Sequence, residues 1–380
     1  MPPIPPEEPP RGDDRSAAAA ADRDAAATTG RAGSGTDSAA DVHVIVVNHN
    51  GGALLGRCLA ALAAQTHRAF RCTVVDNAST DGSAEAAMPA DPRFALRRSA
   101  VNLGFAAGNN LAALGTPEPL IALLNPDAFP APGWLGELVA AAARHPGAVM
   151  FGSSQRDADD PGRWDGCGDF YFAPGFAWRA LRGRPYAPQA ADTRVFAPCA
   201  AAALYRTAAF AAAGGFDARF FCYLEDVDLA FRLRLAGGAA VQVGRAVVDH
   251  CGSAISGRVD GFVTYHSVRN RTWCFVKNMP GPLLAALAAP HLALQLAAGL
   301  RSALRGDGAA ALRGARDALR GLPAVWAERR RIQAARRVGP AAVAAALTWS
   351  PLTYLRRGRD VAAAPAAPAE TATGAHPCRS

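Results

Sequence analysis

Large apolar side chains are almost absent from residues 1–40, and from Val42 onward they recur in two alternating periods. The first segment is mostly Ala, Asp, Gly, Pro, Arg, Ser and Thr. It cannot bury enough surface to offset its ordering entropy and is expected to be disordered. Residues 42–47 (VHVIVV) are a short β-branched run ended by the turn-like Asn48-His49-Asn50-Gly51-Gly52, which predicts a strand. Leu55, Leu59 and Leu62 share one face of a predicted helix over 53–65. Runs at 72–76, 94–98 and 120–125 predict further strands, and 103–114 and 134–145 further helices. Apolar strands alternating with amphipathic helices predict an α/β fold with a mostly parallel sheet covered on both faces.

The pattern then weakens. Residues 151–200 are rich in Gly, Pro, Arg and aromatics and predict loops with a few antiparallel strands. The spacing over 222–238 predicts a helix with a Gly stop, 241–250 a strand, and 282–356 an Ala/Leu/Arg-rich helical region. The expected organisation is a disordered 1–40, a catalytic domain over 41–280, a basic amphipathic helical region over 281–360 and a disordered tail over 361–380.

Charge sharpens that division. The 380-residue chain carries a formal +8, yet residues 281–380 hold fourteen Arg, no Lys and five acids, a surplus of nine. A near-neutral body with a basic end points to an anionic surface partner, not to a nucleic-acid-binding core. The eight Cys form no CxxC and no zinc-like cluster, as expected of thiols in a reducing, cytoplasmic compartment. The opening MPPIPPEEPP does not read as a secretory leader.

Candidate chemistry collects at the predicted strand ends, where open α/β sheets bind ligands. The first strand ends in Asn48, the second in Asp76 and Asn77, and the strand at 120–125 in Asn125-Pro126-Asp127. Turn chemistry alone would also favour Asn and Asp at such places, but three polar ends on one edge favour a site. VHVIVVNHN, VVDNASTDGS, NLGFAAGNN, LLNPDA, GGFDARFFCYLEDVDLAFR and the His250 segment follow one another in this order. Together they resemble the family 2 glycosyltransferases of the GT-A fold, especially rhamnosyltransferase-like members, over about residues 42–280.

That resemblance implies an inverting transfer of a sugar from a nucleotide-diphosphate donor, deoxythymidine-diphosphate rhamnose being favoured, to a hydroxyl of a glycan or lipid-linked acceptor. It places Asp76 on the nucleobase, with Asn48, Asn77, Asn102, Gly104 and Asn125 around the donor. It aligns Asn125-Pro126-Asp127 with the family's Asp-x-Asp motif, so that Asp127, with His250, would hold a divalent metal, Mg²⁺ or Mn²⁺. Here Asn replaces the motif's first acid. It assigns the general base to Asp226, with Glu225 beside it on acceptor hydroxyls, and it places Arg269 and Asn270 near the acceptor. Asp228 has a structural reading as well, four residues before Arg232. A nucleotidyltransferase, which has no reason for the GGFD…EDVD block, and a non-catalytic sugar- or nucleotide-binding relative are the competing readings.

In the basic region Leu312, Leu319 and Leu322 are expected on one helical face and Arg313, Arg316 and Arg320 on another. The stretch 282–300 is apolar but carries Pro290, His291 and Gln295, which makes it a marginal span. The expectation is a peripheral contact of 281–360 with the inner face of the cell membrane, the alternatives being packing on the core or on a second copy in a homo-oligomer.

Overall fold

The structure is a computed structural model that describes residues 41–252 and 259–359. The disorder expected of 1–40 and 361–380 lies outside the described residues. Strands β1 (Val42–Asn48), β2 (Phe70–Asn77), β3 (Phe94–Ser99) and β4 (Leu120–Leu124) form where the sequence predicts them. They alternate with helices α1 (Ala53–Ala63), α2 (Ser83–Ala87) and α3 (Gly104–Ala113). After the short β5 (Ala128–Pro130) come α4 (Trp134–Arg144), β6 (Ala148–Asp157) and β7 (Trp164–Gly166). The weakly patterned stretch contains the hairpin of β8 (Asp169–Phe172) and β9 (Phe176–Arg179), followed by β10 (Thr193–Val195). Then come β11 (Ala202–Arg206), α5 (Thr207–Ala212), α6 (Glu225–Leu235) and β12 (Ala239–His250). The C-terminal helices are α7 (Phe262–Asn278), α8 (Gly281–Leu304), α9 (Gly308–Ala335), α10 (Pro340–Ala346) and α11 (Pro351–Leu355).

The main sheet runs β10-β12-β6-β11-β4-β1-β2-β3. β1 pairs in parallel with β2 and β4, β2 with β3, and β6 with β12, while β11 is antiparallel to both β4 and β6. β1, β2, β4, β6 and β12 therefore share a direction, and their carboxyl ends share an edge. Successive side chains of a strand face opposite sides. Accordingly Ile45 and Val47 enter one hydrophobic core with α3, α6 and α7, and Val42, Val44 and Val46 enter a second with α1 and α4. This is the mostly parallel, two-faced sheet with a C-terminal helical extension that the sequence predicts.

β12 is not continuous with β6 throughout. Val243 pairs with Ser153 and Val247 with Ser154, so residues 244–246 bulge out. At Gly244 an added Cβ would lie 2.6 Å from the Gln189 carbonyl and 2.7 Å from that of Ala191. Beyond the bulge β12 gains a second neighbour, β5, through Val248↔Pro130 and His250↔Ala128.

Two sequence expectations are corrected. The helix over 222–238 starts only at Glu225, because Phe221, Tyr223 and Leu224 take positive φ (64°, 70° and 67°), a conformation side chains other than Gly rarely adopt. The helical region from 282 is broken at 305–307, 336–339 and 347–350. In α9 it is Ala310, Ala311, Gly314, Ala318 and Val325 that are buried, while Leu312 and Leu319 face outward. Gly314 and Gly321 let α9 lie against α7, since a Cβ there would strike the Tyr265 carbonyl oxygen and the Trp273 ring at 2.6 and 2.4 Å.

α6 is locked to α7 by buried charges. Asp228 accepts from Arg232 (2.9 Å), from Lys277 (2.8 Å) and from the Asn278 amide (2.7 Å), and Lys277 also reaches Asp217 at 2.6 Å. This bears out the structural reading of Asp228. Removing the shared cation leaves Asp217 with Arg219 alone and Asp228 with Arg232 and Asn278, around an emptied buried position. Lys277→Ala should lower unfolding stability by about 3–5 kcal/mol, measured by urea titration; a loss below about 1 kcal/mol would show that the two acids do not depend on it.

Candidate active site

The parallel edge brings the predicted residues together. Asn48 and Asp76 are register partners at the ends of β1 and β2. The buried Asn48 amide donates to Asp76 (3.4 Å), Ser79 Oγ (3.0 Å) and Ser83 Oγ (3.0 Å), so the strand ends and the NASTDGS turn form one hydrogen-bonded floor. Asn48 Oδ1 is buried without a partner. Asn77 turns the other way. Its amide donates to Asn102 Oδ1 (2.9 Å) and the Gly104 carbonyl (3.2 Å), and its Oδ1 accepts from the Leu103 N–H (2.8 Å). Asn102 Oδ1 also accepts from the Gly104 N–H at 2.9 Å. The side-chain amide of Asn77 and Oδ1 of Asn102 are thus engaged in shaping the turn before α3. Gly104, with φ 76°, admits the Phe221 ring, which a Cβ would meet at 2.5 Å.

A second group sits where β5 pairs with β12. That pairing sets Asp127 against His250, with His250 Nε2 3.4 Å from Asp127 Oδ1 and the Cys251 N–H donating to the Asp127 carbonyl at 3.0 Å. His250 Nδ1 donates to Asp165 Oδ2 at 2.8 Å, which fixes the ring and directs Nε2 toward Asp127. Burial alone would lower the His250 pKa, but the Asp127 and Asp165 carboxylates more than offset it and raise it above the usual value. The Asn125 amide lies 3.5 Å from His250 Nε2, and its Oδ1 is buried without a partner. Two buried ligand atoms, Asp127 Oδ1 and His250 Nε2, plus an unengaged amide oxygen fit one face of a divalent cation's shell. A carboxylate behind the imidazole is the usual support for a metal-binding His.

The third group surrounds Asp226 at the start of α6. Asp226 Oδ2 accepts from the Ala200 N–H (3.1 Å) and Oδ1 from its neighbour Val227 (2.8 Å). Desolvation raises its pKa against those donors and Arg179. Desolvation also lifts the Glu225 carboxyl well above the ordinary range, with the Asp226 charge adding to it, and Glu225 Oε2 is buried without a partner. The strained approach to this pair is clamped from α7. The buried Asn270 amide donates to the carbonyls of Phe220 (2.9 Å), Cys222 (2.9 Å) and Tyr223 (2.8 Å), and Arg269 donates to that of Phe220 at 2.9 Å. Arg269 and Asn270 therefore brace the 220–224 turn.

Sequence reasoning missed the residues that link the second and third groups. Asp165, on β7, receives Arg179 (2.7 Å) as well as His250. Arg179 and Asp169 are cross-strand partners in the β8–β9 hairpin, and Arg179 also donates to Cys199 Sγ. Among the described residues, Asp169, Cys199 and Asp226 bring ligand atoms within 4.8 Å of one another. The Arg179 guanidinium already supplies a cation to that cluster. Desolvation raises Asp169 to about 7 despite Arg179. In Asp165 the charges of Arg179 and His250 overcome desolvation and hold the carboxyl below the usual range. Gly166 allows this arrangement, because a Cβ there would lie 2.2 Å from the Arg179 stem. Gly166 and Gly168 around Cys167, between two acids, were the available signal.

A sheet whose carboxyl edge gathers these three groups is that of an α/β protein with a candidate ligand site at its strand ends. Residues 43–213 match the sequence pattern of Glycosyl transferase family 2. Over 245 residues the chain is 32% identical to the N-acetylglucosaminyl-diphospho-decaprenol L-rhamnosyltransferase of Mycobacterium tuberculosis (strains CDC 1551 / Oshkosh and ATCC 25618 / H37Rv), covering 57% of this chain and 77% of that protein. The chain belongs to glycosyl transferase family 2 and is a rhamnosyltransferase-like glycosyltransferase. Its structure is also similar to those of the Pyrobaculum calidifontis mannosyltransferase PcManGT with GDP-Man and Mn²⁺ (20% identity, 79% of this chain and 87% of that one, TM-score 0.48) and of GalNAc-T7 with UDP, GalNAc and Mn²⁺ (15%, 55% and 42%, TM-score 0.46).

A buried, raised carboxyl favours the folded state when protonated. Its contribution is full below the unfolded-state pKa and is lost as pH rises through the folded-state one. Glu225→Gln should therefore raise the melting temperature at pH 8 and flatten its fall between pH 5 and 8. Scanning calorimetry across that window checks it, and an unchanged pH slope would contradict the assignment.

Proposed function

We propose that the chain is an inverting transferase that moves a sugar from a nucleoside-diphosphate donor to a hydroxyl of a lipid-linked or glycan acceptor. The observation that carries this reading is the pair of adjacent carboxyls at the start of α6, Glu225 buried and Asp226 half-buried, both raised by desolvation and separated from the Asp127–His250 group by a protein-supplied cation, Arg179. The named relative acts on N-acetylglucosaminyl-diphospho-decaprenol and transfers L-rhamnose, so rhamnose and a polyprenyl-diphosphate-linked sugar are the favoured donor sugar and acceptor. The site would then work at the cytoplasmic face of a membrane.

In this reading Asp76 accepts from the nucleobase, and Asn48 holds its carboxylate in place. Asn77, Asn102 and Gly104 shape the adjoining wall. Asp127 and His250, with Asn125 beside them, would hold a divalent cation, which would supply positive charge to the diphosphate as the glycosidic bond breaks. Asp226 takes the proton of the acceptor hydroxyl while that oxygen attacks the anomeric carbon from the face opposite the diphosphate, which leaves with the bonding pair. A pKa raised by burial suits a base working near neutral pH. Glu225, whose neutral form is favoured by burial, donates to an acceptor oxygen. One displacement without an enzyme nucleophile inverts the anomeric configuration.

Asp226→Asn should lower turnover by about 10²–10⁴ while leaving donor binding nearly intact. Because the base must be ionised, kcat/KM should rise with pH along a limb lying above the ordinary carboxylate range. Sugar-nucleotide turnover followed by mass spectrometry, with proton NMR of the product's anomeric coupling, tests both points. Near-wild-type turnover by the variant, or a retained configuration, would sink the mechanism.

Asp127→Ala should weaken donor binding in a metal-dependent way, and His250→Ala should do so more mildly. Calorimetry of donor binding with Mn²⁺ and with chelator checks this. An affinity of the unaltered protein that chelator does not change would remove the cation from the account.

A further inference from the structure

α8 is 24 residues long and has a mean hydropathy of 1.7 over its most apolar window, yet only 11% of that window is buried. A core helix of a soluble protein would be mostly covered. Its sequence shows two polar interruptions, His291 and Gln295, and the structure turns both inward. His291 is buried, stacks face to face on Phe275 with ring centroids 4.0 Å apart, and donates from Nδ1 to the Pro174 carbonyl at 2.7 Å. Gln295 donates to Thr272 Oγ1 at 2.7 Å and accepts from Arg271 at 2.7 Å. With those two removed from the surface, the outward side from Gly281 to Leu300 bears no charged or polar side chain. Leu292, Leu296, Leu300 and Leu304 stand one turn apart along it, exposed to 59%, 66%, 64% and 81%. A continuous apolar face of this kind is costly in water and marks a contact surface.

What lies around the face selects its occupant. Residues 281–335 carry eight Arg against three acids. Arg301 and Arg305 follow directly at the end of the leucine row, and the outward side of α9 mixes exposed Leu312, Leu319 and Trp326 with Arg313, Arg316, Arg320 and Arg330. Asp317 pairs with Arg316 and Arg320, and Glu328 with Arg331, which still leaves a cationic surplus. Leucine beside arginine and tryptophan is the composition of a helix seated at a lipid–water boundary, with cations at anionic headgroups. A second copy of this chain would bring the same arginines against one another.

We propose that the outward face of α8, continued by α9, docks in the plane of a membrane carrying anionic lipids, with Leu292, Leu296, Leu300 and Leu304 in the acyl boundary. α8 lies along the bilayer and does not cross it. Its other side is tied down over several turns, with Leu287 and His291 buried and Leu283, Leu284, Leu294 and Ala298 against the core. The surface stands on these observations whether or not the proposed sugar transfer holds.

The test is flotation of the full-length protein with vesicles of phosphatidylcholine alone and of phosphatidylcholine mixed with phosphatidylglycerol, at low and high salt. The unaltered protein should float with the anionic vesicles and less with the neutral ones. The paired substitution Leu296→Glu and Leu300→Glu should lower partitioning at least about tenfold with an unchanged melting temperature. Arg313→Glu with Arg316→Glu should remove most of the preference for phosphatidylglycerol. Should the Glu pair melt early, Leu296→Ser with Leu300→Ser gives the same reading without added charge. The proposal is overturned if the unaltered protein stays at the bottom of every gradient, or if the leucine variants float as well as it does. It is also overturned if sedimentation shows a dimer that the leucine variants split while the protein ignores vesicles, which would assign the face to a second copy.

Discussion

The arrangement of acids at this sheet edge depends on one guanidinium. Buried carboxylates near one another cannot all stay ionised without a cation among them. Arg179 provides it, reaching Asp165 on one side and Asp169 and Cys199 on the other. Asp165 is thereby kept ionised, and an ionised Asp165 is what orients the His250 ring. Asp169, less well compensated, sits beside Asp226 and raises the cost of its charge. The same cation therefore lets two ends of the site hold different protonation, and Gly166 is the opening through which its stem passes.

The second dependence is conformational. Three side-chain-bearing residues in left-handed backbone, Phe221, Tyr223 and Leu224, precede Glu225. Each costs of order 1–3 kcal/mol and persists only when its surroundings over-determine it. Here Asn270 engages three carbonyls of the turn, and Phe221 is caught between Gly104 and the His266 ring, with ring centroids 5.5 Å apart. The start of α6 is held by α7 from one side and by the turn before α3 from the other. That is why a residue near Asn102 and one near Asn270 both bear on where Asp226 points.

The parallel half of the fold was legible because its signals are local. Val42–Asn48, Phe70–Asn77 and Leu120–Leu124 are buried on both faces apart from Arg71 and read as mainly apolar runs broken only by His43, Arg71 and Thr73, and their polar ends fall on the edge where their direction puts them. Asp165, Asp169 and Arg179 were not legible, because short antiparallel strands in a Gly- and aromatic-rich stretch carry little periodicity and their meaning lies in cross-strand register. The false helical start at 222–224 has a related cause, since nothing in Tyr223 or Leu224 announces positive φ. His291 and Gln295 looked like interruptions of an apolar segment, yet a one-dimensional pattern does not say which side of a helix is inward. Asn270, matched to an acceptor-side pair by resemblance, donates its amide to three backbone carbonyls of the 220–224 turn, which no local pattern shows.

The bulge in β12 separates two mechanical neighbourhoods. Before it the strand answers to β10, through Thr193↔Gln242, and after it to β5, through His250↔Ala128. The three residues between stand outside the ladder with β6, the Gly244 carbonyl accepting from Ser154 Oγ at 2.9 Å, so the register on the β10 side and that on the β5 side are set by different partners. A one-residue slip in an unbroken strand would turn His250 to the opposite face of the sheet. The bulge thus works as a joint: the register that aims the imidazole at Asp127 is set beyond it, by β5.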